Sequence, residues 1–118
     1  MIRLALDKPR YAPGDAVHGT VTINETIGPR RVYAAIRMVE RTKDLAATAA
    51  ETTTPALADG ELVAGSEYVF ELVLDAGALP SVRSTNGRIG WEAVAWIDQQ
   101  GGDSTASVEF EVVGPAPS

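Results

Sequence analysis

The chain has 118 residues, with 10 Lys and Arg against 16 Asp and Glu, a net charge of −6, one histidine and no cysteine. That is one domain's length, with enough chain to bury an ordinary core. The missing cysteines exclude disulfides, thiolate metal sites and a Cys nucleophile, the lone His18 leaves a Ser-His-Asp triad almost nothing to draw on, and the acidic balance disfavours nucleic acid and anionic lipid.

Valine, isoleucine and threonine outnumber leucine and methionine, and 11 Gly and 7 Pro punctuate them. This is the composition of strands and turns. Ile2, Leu4 and Leu6 alternate with Arg3, Ala5 and Asp7, which reads as a first strand with one buried face. The segment from Lys8 to Asp15 carries two prolines and a Pro13-Gly14 pair and reads as a loop ending in a tight turn. Val17, Gly19, Val21 and Ile23 alternate with His18, Thr20 and Thr22 in a second strand. Gly19 inside it points to a bulge or a close backbone approach. Asn24 to Pro29 reads as a turn.

Arg30 to Lys43 is the longest patterned segment, a strand of about 14 residues. Val32, Ala34, Ile36 and Met38 share one face; Tyr33, Ala35, Arg37, Val39 and Arg41 share the other. Val32, Ile36 and Val39 also fit helical spacing, and the neighbouring strands decide for strand. Leu45 to Ala64 suits an exposed edge strand, a loose loop or a short Ala-rich helix near 46–50, followed by a brief strand at Glu61–Ala64. Tyr68, Phe70, Leu72 and Leu74 mark a core strand. Ser81 to Gly87 reads as a polar loop. Ile89, Trp91, Ala93, Ala95 and Ile97 define the next strand, with Val94 and Trp96 on its other face. Asp98 to Asp103 reads as a hairpin turn, and Val108, Phe110 and Val112 as the last strand. Seven or eight strands with regular turn signals predict an all-β, immunoglobulin-like antiparallel two-sheet sandwich over residues 1–113, with 114–118 a tail or linker. Val21, Ile36, Phe70, Leu72, Trp91 and Phe110 are the expected core.

The order of motifs resembles the amino-terminal-type arrestin-like domain family, which includes bacterial sporulation-control proteins. The resemblance rests on Ile2–Asp7, the Tyr-x-Pro-Gly-Asp turn at Tyr11–Asp15, the Val-x-Gly-x-Val-x-Ile strand at Val17–Ile23 and the Val-x-Ala-x-Ile segment from Val32. It continues through Gly65–Leu72, Leu79-Pro80-Ser81 and Gly87-Arg-Ile-x-Trp91. Trp91 stands where the family often has tyrosine. The resemblance implies a sandwich that works as an adaptor or scaffold. Most relatives carry two such domains, and the paired lysines with which arrestins sense receptor phosphate have no match here.

The residues that bear on function divide unevenly. His18 reads as an exposed strand histidine. Asp98 and Asp103 flank a Gln-Gln-Gly-Gly turn but fall short of the six to eight oxygens calcium takes. The pairs Glu109 with Glu111 and Glu67 with Glu71 read as solvated strand faces rather than catalytic acids. Arg30, Arg31, Arg37, Arg41 and Lys43 form a basic strip suited to an acidic partner or to glutamates on adjacent strands. Trp96 is a contact site if exposed and second-layer core if covered by the loop at Leu45–Ala64. The expectation is a non-catalytic, cytoplasmic protein-interaction module without cofactor, metal, nucleic acid or integral membrane segment. Its partner surface is placed at Tyr33, Arg37, Val39, Arg41 and Trp96, with homo-oligomerisation through sheet edges. The alternative is a carbohydrate-binding or cell-surface sandwich module.

Overall fold

A computed structural model describes residues 2–42, 45–78, 80–84, 87–98 and 104–113. Among them are ten strands and no helix: β1 (Ile2–Leu6), β2 (Arg10–Tyr11), β3 (Ala16–Ile23), β4 (Ile27–Thr42), β5 (Ala46–Thr53), β6 (Ala58–Leu62), β7 (Glu67–Val73), β8 (Val82–Ser84), β9 (Gly87–Asp98) and β10 (Ser104–Val112). The count exceeds the expected seven or eight because β2 and β8 are only two and three residues long. Pro and Asn-Gly chemistry had marked their surroundings as loop.

The strands form two sheets. The small sheet runs β1-β3-β7; the large one runs β2-β10-β9-β4-β5, with β6 also on β4 and β8 on β9. Alternating apolar residues of both sheets meet between them. All six expected core residues are buried there, beside Tyr11, Val17, Val32, Leu62, Leu74 and Ile97. The period-2 pattern decides which face enters the core, since a one-residue slip would turn every side chain outward.

Two local features fix how the chain enters the sandwich. After β1 it leaves the small sheet and joins the large one, where Arg10 and Tyr11 pair in parallel with Glu111 and Val112. The Tyr11 hydroxyl donates to Asp7 and accepts the Lys8 amide, which locks this crossing. Pro13 and Gly14 then turn the chain into β3. Gly14 has φ +89°, and the Asp15 amide donates to the Ala12 carbonyl at 3.0 Å. That is the left-handed second corner a Pro-Gly turn requires.

Gly19 marks neither a bulge nor a close backbone approach; it makes room for a side chain. The pairing of β3 with β1 and β7 is regular through it. A Cβ there would lie 2.5 Å from Phe70 Cε1 and 3.2 Å from Leu6 Cδ2. The Phe70 ring occupies the space that a side chain at 19 would need.

β4 is a 16-residue strand, which settles the segment from Arg30 to Thr42 against the helix. It also takes in Ile27 to Pro29, which read as turn. Its flank is bonded in two stages. β5 pairs with residues 35–41 and β6 with residues 27–32. Thr54 joins the two, its amide donating to the Ala34 carbonyl and its hydroxyl accepting the Ala34 amide. Ala46–Thr53 is therefore an edge strand rather than a helix. The turn expected at Asp98–Asp103, with Asp103 of the calcium reading, lies largely outside the described residues, as do Lys43, Leu79 and the tail at 114–118.

Candidate functional site

The outer face of the large sheet collects side chains from adjacent strands in register. Tyr33 faces Trp96, Ala35 faces Val94, Arg37 faces Glu92, Val39 faces Gly90 and Arg41 faces Arg88. Because directly opposed residues share a face, these five rows form one continuous surface. It brings together every residue of the expected partner surface.

The Tyr33 and Trp96 rings stack, with centroids 5.6 Å apart and planes 24° from parallel. Both are half-buried. Trp96 thus sits between the two expected states, with one ring face against Tyr33. Arg31 frames the pair. It bridges Asp59 at 3.4 Å, and its pKa is held above the ordinary arginine value by hydrogen bonding to Tyr33 first and by the Asp59 charge second. Ala35 and Val94, one row along, are buried although neither belongs to the cluster between the sheets. The large sheet therefore carries a thin apolar strip on its outside, with the aromatic pair at one end.

Arg37 and Val39 depart from the exposed roles expected of them. Arg37 Nε donates to Glu92 Oε1 at 2.7 Å, and the Glu92 side chain is only 12% exposed. Arg37 is therefore the counter-ion that lets Glu92 sit in the face, not a free contact residue. Val39 does lie on the outer face, but only 7% exposed. The β5 register steps at this point, Met38 opposing Ala50 and Val39 opposing Thr48. A cross-strand bond between residues 55 apart, and a register step, leave no mark in the alternation of one strand.

The basic strip consequently breaks up. Arg31 and Arg37 are paired with carboxylates, while Arg41, half-buried, has no ion-pair partner among the described residues. The Arg30 guanidinium bonds the Pro29 carbonyl at 2.8 Å. Glu109 and Glu111 each meet an arginine, Arg88 at 3.7 Å and Arg10 at 3.0 Å. Sequence reasoning passed over Arg88, whose importance comes only from its cross-strand position.

The other outer face, on the small sheet, holds the remaining candidates. His18 is exposed, with Nδ1 3.9 Å from Glu71, and Glu67 lies further along the same strand as Glu71. Val69 and Val73 stand out there at 77% and 59% exposure. They alternate along β7 with the buried Phe70 and Leu72, which turns them away from the core. Among the described residues no group of three or more His, Asp or Glu is placed to hold a metal, and no helix is long and apolar enough to cross a membrane.

No family model and no curated protein matches the chain. Among solved structures it is similar to Spo0M, the sporulation control protein from Bacillus subtilis, with a TM-score of 0.65 and 21% sequence identity. The match covers 97% of this chain and 49% of that one, so this chain spans about half the length of Spo0M. At that identity the likeness establishes the fold alone, a two-sheet β-sandwich like that of Spo0M.

Proposed function

We propose that the protein is a non-catalytic interaction module, an adaptor or scaffold that docks another protein on the outer face of its large sheet. The observation that carries this reading is the half-buried Tyr33–Trp96 stack on the outer face of the large sheet. Aromatic side chains combine large contact area with a polar tip, and they anchor protein interfaces more often than their abundance would suggest. Likeness to a sporulation control protein is compatible with a regulatory module of arrestin-like type. The working location is the cytoplasm, and self-association is assigned to the edge strand β5.

The carbohydrate-binding alternative is disfavoured by ring geometry. Sugars stack on open ring faces, whereas Tyr33 and Trp96 turn faces toward each other, and Trp91 is buried in the core.

Affinity capture from native extract tests the reading. The wild-type chain should retain a defined set of proteins that Trp96→Ala loses, with the variant's melting temperature close to wild type. Equal capture by both chains, or glycan binding that requires Trp96, would overturn it.

A further inference from the structure

The free edge of β5 spaces its backbone groups unevenly. Both ends of the segment are tied to β4: the Thr54 amide donates to the Ala34 carbonyl, and the Leu45 carbonyl accepts the Thr42 amide. In an antiparallel ladder, residues alternate between bonding the neighbouring strand and turning their amide and carbonyl away from it. Counting back from Thr54, Thr53 and Glu51 turn away from β4. Counting forward from Leu45, Ala46 and Thr48 turn away. The two counts differ in parity because the register steps once, Met38 opposing Ala50 and Val39 opposing Thr48, with Ala49 the extra residue. The outward groups therefore belong to Ala46, Thr48, Glu51 and Thr53, spaced by two residues, then three, then two. That spacing is the same read from either end.

This palindrome selects its own partner. A regular strand presents its groups at every second residue and falls out of step at the wider interval. A second β5 running antiparallel carries the same interval and meets it when Ala46 opposes Thr53 and Thr48 opposes Glu51. All four outward residues of each copy then find a backbone partner. The same register matches the faces. Ala46, Thr48, Glu51 and Thr53 oppose Arg41, Val39, Arg37 and Ala35 of β4, so all four belong to the outer face of the large sheet. It also sets Glu51 against a threonine, where a register centred on Glu51 would oppose two like charges. Every described side chain of β5 is exposed, and the sheet ends at this strand among the described residues.

We propose that two copies of the chain pair antiparallel through β5, with the two-fold axis between Ala49 and Ala50 and perpendicular to the sheet. The proposal deepens the self-association assigned to β5 and takes its use from the interaction-module reading. Because outer face meets outer face, both Tyr33–Trp96 stacks lie on the same side of one continuous sheet, about 40 Å apart at ordinary strand spacing and rise. The pair offers two docking sites to one partner, and a partner that is itself two-fold gains from their linkage. A single strand pairing buries little surface, so the dimer is weak and concentration-dependent.

Disulfide trapping tests the register, in a chain with no cysteine of its own. Thr48→Cys and Glu51→Cys chains, mixed and oxidised at high concentration, should form a mixed disulfide, because directly opposed Cα atoms lie about 5.5 Å apart. Each variant alone should form almost none, since position 48 of one copy lies three residues along from position 48 of the other, beyond disulfide reach. Thr48→Pro should weaken self-association by roughly tenfold or more in sedimentation while melting near wild type, because the amide it removes points outward. Ala47→Pro, whose amide faces β4, should instead lower the melting temperature. Disulfides in Glu51→Cys alone at the yield of the mixture, or a Thr48→Pro chain that self-associates like wild type, would each overturn the proposal. Trapping in this register with capture indifferent to Trp96 upholds the pairing and removes the module reading. Trp96-dependent capture by a chain that stays monomeric at high concentration does the reverse.

Discussion

Tyr11 is a side chain whose chemistry the fold changes strongly. Burial first, and its hydrogen bond to Asp7 second, push its pKa from 10 up to about 12. The folded state therefore favours the neutral phenol. Its stabilising contribution is complete below pH 10 and disappears as the pH rises to about 12, a change of about 3 kcal/mol at two pH units. Asp7 behaves in the opposite sense. The Tyr11 hydrogen bond lowers its pKa, so its contribution is present above the ordinary carboxylate range and is lost as the pH falls through the lowered value. Tyr11→Phe should cost about 1 kcal/mol at neutral pH in urea unfolding and should flatten the alkaline loss relative to wild type. An unchanged alkaline profile would contradict the Tyr11 assignment. Gly19 makes a steric prediction. Gly19→Ala should destabilise by about 1–3 kcal/mol because Phe70 must move. Combining it with Phe70→Leu should recover part of that loss, a coupling that a double-mutant cycle reads directly.

At the level of elements, the alternation of β3, β4, β7 and β9 was enough to place the core, because each strand presents one buried face. Phe70→Ala or Trp91→Ala should each cost about 3–5 kcal/mol by calorimetry. The same alternation put Tyr33, Arg37, Val39, Arg41 and Trp96 on one outer face, and the structure keeps them there. What those side chains do was not legible. Arg37 finds Glu92, and Arg41 finds Arg88, only once β4 and β9 are paired. Leu45–Ala64 was ambiguous for a related reason. Every described side chain of β5 is exposed, so neither face carries an apolar signal. Arg37→Ala should destabilise by about 1–3 kcal/mol, since it strands Glu92 without its counter-ion. Adding Glu92→Gln should restore part of that stability.

The whole molecule is a sandwich of unequal sheets, three strands against seven. The small sheet covers the centre of the large one, and β5 overhangs at the edge. That strand bears one charged side chain, Glu51, and no proline, so it lacks the usual guards against edge pairing. Ala47→Lys should therefore reduce self-association in analytical ultracentrifugation without lowering the melting temperature, whereas an unaltered sedimentation profile would remove β5 from any self-contact. The two outer faces compete as partner surfaces, one with the Tyr33–Trp96 stack and the other with the exposed Val69 and Val73. The most direct test places a photo-crosslinking benzoylphenylalanine at position 33 in one chain and at position 69 in another, and irradiates each in native extract. Docking on the large sheet predicts defined adducts from position 33 and none from position 69; adducts confined to position 69 would contradict it.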